Sequence, residues 1–319
     1  MNATAWAARA TRLLRAGLLA AGLSGLAGGA VQAQPETALC PPPLPAAGGP
    51  AVDRGLLWRI TRDGRPSWLY GTLHVGRPAW QRPGPKVAAA LRASDVLALE
   101  LDPSDPAVAE TLAGIAHGPP LPEALKQRLR RAYDRACLAP ESLAALHPVM
   151  QATTLLLLEA RWLGLDPAYA QETLLATQAR AAGRRVVALE SAAQQQAVLV
   201  PTDVEQARSM VEQTLQQLED ASGRRVLQRL AEAWERGDLA ALEDYMSWCD
   251  CVASEAEREF MRRLNDERNG PLADGIAALH ARGQRVFAAV GALHMTGAQA
   301  LPALLAARGF RVERVEFGR

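Results

Sequence analysis

Two short glycine–histidine segments at opposite ends of the chain decide the fold. The first is SWLYGTLHVG at residues 67–76, in which an apolar run leads into a Gly-x-x-His sequence that ends at His74. The second is RVFAAVGALHMTG at residues 285–297, in which another apolar run leads into a Gly-x-x-His sequence that ends at His294. Because short apolar runs bounded by glycine are typical of buried strands, each histidine is predicted to follow the end of a strand.

Further strands are predicted around these segments. Residues 57–61 and 67–71 should pair as an antiparallel hairpin, because the Asp-Gly dipeptide at 63–64 separates two runs of β-forming residues. The apolar runs at 95–101 and 186–189 carry a glutamate at or just after their ends. This pattern indicates buried strands with an acidic residue at the tip.

Helical patterns fill the remainder of the chain. Residues 86–93 and 201–266 are predicted to be helical, and over 106–165 apolar residues recur at helical spacing between prolines that mark helix boundaries. Strand–turn–helix–strand units at both ends suggest an internal duplication. We therefore predict an α/β fold, in which a mixed, mainly parallel sheet is covered by helices. Two duplicated strand-GxxH-helix-strand units would flank a large helical insertion.

The first 33 residues have the layout of a secretory signal peptide. Three arginines lead into an apolar stretch, and Val-Gln-Ala at 31–33 is a small-residue cleavage site. Residues 34–52 are rich in Pro, Gly and Ala and are predicted to be a linker, so one domain is expected at 53–319. The product should be periplasmic or secreted. Retention of the leader as an uncleaved anchor is the alternative.

The charge balance argues against one class of partner. The formal charge of the whole chain is +1, and it becomes −2 when the three leader arginines are removed. Because such a chain has no excess of cations to neutralise phosphates, a nucleic-acid partner is not expected. Beyond the leader, no stretch is apolar and long enough to predict a membrane span.

The four cysteines suit an oxidising compartment and allow three pairings. A bridge between Cys249 and Cys251 would close a very small, strained ring. Each of the two is therefore expected, if bridged, to reach Cys40 or Cys137. The alternative is a metal or redox site at the Cys-x-Cys sequence, although no nearby histidine completes a ligand set there.

Side chains that can bind a metal follow four of the predicted strands. Functional sites of open α/β sheets gather beyond the carboxyl ends of the strands, so these side chains are expected to lie together. Imidazole nitrogen and carboxylate oxygen are ligands for Zn, Mn, Fe or Co. The sequence therefore predicts a divalent metal site held by His74, Glu100 and His294. Glu190 is predicted to be a further ligand or the general base of a hydrolytic reaction.

Four more residues complete the predicted site. Gly71 and Gly291 begin the two Gly-x-x-His sequences, where the absence of a Cβ would let the backbone approach a bound cofactor. Arg268 and Asn269 offer a guanidinium and an amide that could stabilise an oxyanion.

The other histidines have simpler explanations. His117 and His280 lie near predicted helix ends and His147 precedes a helix start, positions where an imidazole has a structural role. The sequence contains no Gly-x-Ser-x-Gly elbow, Walker loop, dinucleotide fingerprint or His-Glu-x-x-His helix. Hydrolysis by those familiar routes is therefore not predicted.

In combination these motifs resemble the TraB/GumN family, whose pattern is two Gly-x-x-His motifs near the ends of the domain and a glutamate between them. The matching pieces are YGTLHVG (70–76), ALELD (98–102), GLD (164–166), ALESAAQQ (188–195), ERN (267–269) and VGALHMTGAQALPALLAARGFRV (290–312). Many relatives carry a glycine two residues before an acidic residue, where this chain has Ala170 before Glu172. This departure makes Glu172 a weak candidate for the site.

The resemblance implies a fold like that of the erythromycin-esterase and haem-binding ChaN-like group. It also implies similarity to the TIKI proteins, which are metal-dependent proteases. The expected activity is that of a metal-dependent, peptidase-like hydrolase acting on a peptide or small-molecule substrate through a metal-activated water. One alternative is a haem- or metal-binding carrier with the histidines as axial ligands. Another is an envelope protein that binds peptide or glycan without turnover.

Overall fold

Six strands form one sheet in the part of the chain that the computed structural model describes, residues 40–46, 48–102, 104–114, 118, 120–249, 251–252 and 254–318. The strands are β1 (Leu56–Arg62), β2 (Arg65–Thr72), β3 (Val96–Leu99), β4 (Arg185–Ala188), β5 (Val286–Gly291) and β6 (Arg311–Arg314). Their order across the sheet is β4-β3-β5-β2-β1-β6. Strands β4, β3, β5 and β2 pair in parallel, and β1 pairs antiparallel with both β2 and β6. The predicted mixed, mainly parallel sheet is confirmed.

The N-terminal hairpin forms where the Asp-Gly dipeptide predicts it. β1 and β2 pair from Leu56 opposite Gly71 to Arg62 opposite Arg65. Asp63 and Gly64 both have positive φ, 53° and 70°. A two-residue turn with positive φ at both positions matches the twist of the flanking strands, so this dipeptide fixes the register.

The carboxyl ends of β2, β3 and β5 lie side by side at one edge of the sheet. β5 is the middle strand of the three, with its Ala289 paired to Leu99 of β3 and its Gly291 paired to Thr72 of β2. The residues that follow these strands therefore emerge together. They include both Gly-x-x-His histidines and Glu100.

Helices surround this sheet. They are α1 (Pro85–Arg92), α2 (Pro106–Gly114), α3 (Glu123–Ala136), α4 (Pro148–Leu158), α5 (Gln171–Ala181), α6 (Ala192–Leu199), α7 (Val204–Glu219), α8 (Ser222–Arg236), α9 (Leu239–Glu243), α10 (Tyr245–Trp248), α11 (Glu255–Met261), α12 (Glu267–Ala281) and α13 (Leu301–Ala307). Val87 of α1, Leu175 of α5 and Ile276 of α12 share one buried core with β3 and β5. Strand–helix–strand units occur at both ends as β2–α1–β3 and β5–α13–β6, and their common ancestry stays a prediction.

The helical insertion has a hydrophobic core of its own. Leu125 of α3, Leu155 of α4 and Leu215 of α7 belong to a second buried cluster. α4 begins at Pro148, as predicted, and the Nδ1 atom of His147 accepts a hydrogen bond from the Val149 N–H at 3.2 Å. This histidine therefore caps a helix, which is the structural role expected for it.

The cysteine pairing differs from the expectation. Cys40 is bonded to Cys137 and Cys249 to Cys251, so the prediction that Cys249 and Cys251 reach Cys40 or Cys137 is wrong. The reason is local geometry: the chain after α10 brings the Cα atoms of Cys249 and Cys251 to 5.1 Å, within the range that a bridge spans. All four thiols are used, so no free thiol remains for a Cys-x-Cys metal site.

Some expectations fall outside the described residues. These are the signal peptide at 1–33 and the position of His117. In the predicted linker, residues 40–46 and 48–52 form no helix, and Val52 makes an isolated bridge to Pro83. None of the helices in the described ranges combines the length and the apolar composition that a membrane crossing requires.

Candidate functional site

Three side chains from different parts of the chain converge above Gly291. From the position that a Cβ at residue 291 would occupy, Glu100 Oε1 lies at 3.3 Å, His294 Cδ2 at 3.5 Å and His74 Nε2 at 4.0 Å. These residues follow strands β2, β3 and β5, whose carboxyl ends share one edge of the sheet. The structure thus brings together the three residues predicted as metal ligands. Their role as ligands stays a prediction.

A hydrogen bond to Asn269 orients the His294 ring. The ring lies in the short 3₁₀ helix Ala292–Met295, and its Nδ1 atom is 2.6 Å from Asn269 Oδ1. The Asn269 amide group donates to the Gln299 carbonyl at 2.8 Å, which orients its oxygen toward the ring. Nδ1 therefore carries the hydrogen, and the lone pair is on Nε2, 3.7 Å from Glu100 Oε1. Burial lowers the pKa of His294, so the ring is neutral near pH 7.

Asn269 is buried beside the His294 ring. Its side chain is fully buried, with 0% of its surface exposed, and its oxygen and nitrogen contact His294 and Gln299. Such contacts suit a residue that orients a histidine ring. A direct contact between Asn269 and an oxyanion stays a prediction.

His74 is held by a carboxylate that the sequence had ranked low. Its Nδ1 atom is 3.0 Å from Glu172 Oε1, and the Thr72 hydroxyl donates to the same oxygen at 2.5 Å. The carboxylate raises the pKa of His74. Since 63% of the His74 side chain is exposed, solvent moderates this effect. The sequence signals for Glu172 are the acidic residue that the family resemblance places after GLD and its position in the first turn of a helix, and neither shows which ring it will meet.

Glu100 and Glu190 share a buried network with Arg268 and Gln195. The guanidinium Nη2 of Arg268 donates to Glu100 Oε2 at 2.5 Å and to Glu190 Oε2 at 2.6 Å, and its Nε donates to Glu190 Oε1 at 2.9 Å. The Gln195 amide donates to both carboxylates at 3.2 Å. The structure therefore places Glu190 and Arg268 beside the three convergent residues. Gln195 joins them without having been singled out in the sequence.

The network keeps Glu100 ionised. Burial alone would raise the pKa of this carboxyl. The charges of the nearby His74 and Arg268, together with the Gly291 N–H, outweigh burial and hold the pKa of Glu100 below its usual value. The Gly291 N–H donates to Glu100 Oε1 at 2.6 Å, so the same glycine both orients this carboxylate and leaves space above it.

The other predicted glycine faces away from this space. A Cβ at Gly71 would lie 3.2 Å from the Ala292 Cα and 3.4 Å from the Met295 side chain. The indole nitrogen of Trp234 donates to the Gly71 carbonyl at 2.7 Å. Gly71 therefore allows the second Gly-x-x-His segment to pack closely against β2, and its approach to a bound cofactor stays a prediction.

The donor atoms suit a divalent cation. Within the described ranges, no three His, Cys, Asp or Glu side chains are grouped closely enough to hold a metal ion as they stand. Yet each histidine has its Nδ1 against an oxygen acceptor, which leaves Nε2 for a ligand bond as in most protein metal sites. In addition, the carboxylates of Glu100 and Glu190 share the Arg268 guanidinium, whereas Glu172 contacts His74 and Thr72. Two negative charges are thus unbalanced when both imidazoles are neutral.

Comparison with known proteins gives one match. Neither the curated proteins nor the solved structures contain a chain that matches this one. The model of the TraB/PrgY/gumN family matches residues 56–314, a range that includes every strand of the sheet and every residue of the site above. The chain therefore belongs to the TraB/PrgY/gumN family.

Proposed function

We propose that this protein is a metal-dependent hydrolase that cleaves a peptide or ester bond. His74, Glu100 and His294 would hold the ion. The observation that carries the proposal is that His74 Nε2, the His294 ring and the ionised, buried Glu100 carboxylate all lie within 4.0 Å of one point beside Gly291, with His294 Nε2 3.7 Å from Glu100 Oε1.

Charge supports a cation at this position. With both imidazoles neutral, as ligation through Nε2 requires, the three carboxylates of the cluster exceed its single guanidinium by two units of negative charge. Buried carboxylates are unfavourable unless they are paired or bind a metal. A divalent ion would balance them once the side chains, which are not grouped closely enough to hold a metal ion as they stand, move toward it. When bound, such an ion supplies Lewis acidity and a water of lowered pKa.

The chain's own residues would then move a proton and stabilise charge. In the structure Arg268 donates to both oxygens of Glu190. As negative charge develops on a substrate oxygen, Arg268 would shift toward that oxygen and free Glu190 Oε2 to accept the proton. The same movement of Arg268 would thus let Glu190 act as the base and let Arg268 stabilise the oxyanion. Asn269 keeps His294 oriented throughout.

We also propose that the protein acts outside the cytoplasm. Both disulfides support this location, because such bridges persist in oxidising compartments. The signal peptide expected at residues 1–33 is the second support.

Metal content tests the proposal. The full chain would be purified from the periplasm without a metal-affinity column, and bound Mn, Co, Fe and Zn would be measured by elemental analysis. We expect about one ion per wild-type chain and its loss in His74→Ala and in His294→Ala. His147→Asn is the matched control, since asparagine preserves the helix cap and lies in α4's cap rather than at the site.

The outcomes separate the candidate functions. Equal metal content in all four proteins would refute the ligand assignment. Metal-loaded protein would next be offered a panel of unstructured peptides and simple esters, with a chelator-treated sample beside it. Stoichiometric hemin binding without cleavage would replace the hydrolase by a haem carrier.

A further inference from the structure

The start of α5 is fixed against the segment that carries His74. The Gln171 N–H donates to the Leu73 carbonyl at 3.2 Å, and Gly76 and Asp166 exchange two backbone hydrogen bonds of 3.1 and 2.8 Å. These bonds lie on both sides of His74 in the sequence. The first turn of α5 therefore has a fixed position relative to the ring.

Gly76 makes this approach possible. A Cβ at this position would lie 2.1 Å from the Tyr169 carbonyl oxygen and 2.8 Å from the Gln171 side-chain nitrogen. Only a residue without a side chain lets the two segments come this close. The second glycine of YGTLHVG thus has a role in placing the helix that follows Tyr169.

The fixed helix brings Glu172 to His74 and Thr72. Oxygen Oε1 of Glu172 receives the Thr72 hydroxyl at 2.5 Å and lies 3.0 Å from His74 Nδ1. Thr72 is buried in β2, with 1% of its surface exposed, and cannot move away. The carboxylate is thus restrained from one side by a rigid strand and contacts the ring on the other.

An ionised carboxylate can only accept hydrogen bonds, so the hydrogen must lie on Nδ1. Nε2 is then on the opposite side of the ring, toward the open position above Gly291. We propose that Glu172 is the positioning residue of the site: it fixes the orientation of His74 through Nδ1, and Thr72 fixes Glu172. What His74 does with Nε2 rests on the proposed function, but its orientation does not.

The two histidines are therefore oriented by unlike partners. His294 is buried and donates to a neutral amide of Asn269, whereas His74 is exposed and donates to an anionic carboxylate. At a given length an ionised partner makes a stronger hydrogen bond than a neutral one, although the His74–Glu172 distance of 3.0 Å is longer than the His294–Asn269 distance of 2.6 Å. The carboxylate of Glu172 thus restrains His74, the histidine whose side chain is more exposed to solvent.

Proton NMR of the ¹⁵N-labelled full chain tests the assignment. Each ring should give a downfield, slowly exchanging Nδ1–H signal, assigned by its loss in His74→Gln or His294→Gln. In Glu172→Ala we expect the His74 signal to disappear into fast exchange while the His294 signal stays. Asn269→Ala should give the reverse result, and Glu172→Gln, which keeps an acceptor oxygen, should retain a shifted His74 signal.

The surviving His294 signal shows that the variant site is folded. A His74 signal that persists unchanged in Glu172→Ala, or that is missing from the wild type, would overturn the proposal. Titration with Zn²⁺ alone provides the second readout. Glu172→Ala should bind Zn²⁺ about 10- to 100-fold more weakly, and Thr173→Ala, an exposed change on the same helix, should bind as the wild type does. If the wild type binds no Zn²⁺ while the NMR results hold, the proposed function fails and the positioning role of Glu172 stands.

Discussion

Arg268 binds Glu190 at two points, with Nε donating to Oε1 at 2.9 Å and Nη2 donating to Oε2 at 2.6 Å. The same Nη2 donates to Glu100. One guanidinium thus pairs with two carboxylates that are more than nine-tenths buried. Only the planar, forked shape of arginine allows this arrangement.

Removal of Arg268 should therefore destabilise the fold. Arg268→Met leaves Glu100 and Glu190 buried without their cation, and we expect the free energy of unfolding to fall by about 3 kcal/mol or more. Arg268→Lys should recover only part of this loss, because an ammonium cannot span both carboxylates. Urea unfolding monitored by circular dichroism measures each value.

The matched control is an exposed ion pair. Arg285 binds Asp95, and the two side chains are 46% and 41% exposed. Arg285→Met should cost less than about 1 kcal/mol. Similar losses for Arg268→Met and Arg285→Met would contradict the importance given to the buried network.

Gly291→Ala should close the site without unfolding the protein. The backbone at this residue, with φ −50° and ψ 139°, accepts an alanine. The new methyl group would lie 3.3 Å from Glu100 Oε1, in the space that the donor atoms share. We expect metal content and hydrolysis to be lost while the melting temperature changes little.

Gly270→Ala is the control for this change, since nothing lies within 4 Å of a Cβ at that helical position. It should keep the metal content and activity of the wild type. An active, metal-loaded Gly291→Ala protein would show that the reaction does not use the space above residue 291.

Acid should weaken the fold through His280. This ring is fully buried near the end of α12, where Nδ1 accepts from the Ser67 hydroxyl and Nε2 donates to the Arg62 carbonyl. Burial lowers the pKa of His280 below its usual value near 6.5. Because the unfolded chain takes up the proton first, stability should be full above pH 6.5 and decrease as the pH falls below it, by up to about 1.4 kcal/mol per pH unit.

The variant His280→Gln separates this contribution from the rest. It should be less stable than the wild type at pH 7.5 and should show a shallower decrease of unfolding free energy between pH 6.5 and 5. Parallel curves for the two proteins would mean that another group causes the acid sensitivity.

The two disulfides should differ in their contribution to stability. Cys40–Cys137 closes a loop with a sequence separation of 97 residues, and Cys249–Cys251 one of only 2. The longer loop restricts the unfolded chain far more, so replacing Cys40 and Cys137 by alanine should cost about 3 kcal/mol. Replacing Cys249 and Cys251 should cost much less. Calorimetry of the two double variants decides this, and equal losses would argue against the loop-entropy explanation.

The fold follows from local signals to a large degree. Asp63-Gly64 specifies the hairpin, because a turn with two positive φ angles needs such residues. The buried runs that precede Glu100 and His294 predict parallel strands, and the sheet confirms them. These features depend on residues that are neighbours in sequence, so periodicity and turn chemistry reveal them.

The features that could not be predicted from the sequence depend on how the chain packs in three dimensions. Glu172 meets His74 across 98 positions because Gly76 admits the Tyr169 carbonyl, and no periodic pattern encodes that approach. The sequence places Asn269 beside Arg268, but only the packing shows that one amide lies under His294. The sequence predicts no bond between Cys249 and Cys251 because the ring would be small and strained. The local chain path nevertheless brings the two residues together, and they are bonded.

The contrast in exposure between the two histidines has a kinetic consequence. His74 is 63% exposed, whereas the side chains of His294 and Glu100 are 6% and 9% exposed. Any solute that arrives from outside meets His74 before the others, and a departing one leaves it last. Substitutions at His74 should accordingly change the rates at which a ligand enters and leaves the site. Substitutions at His294 or Glu100 should instead change how long the ligand stays bound.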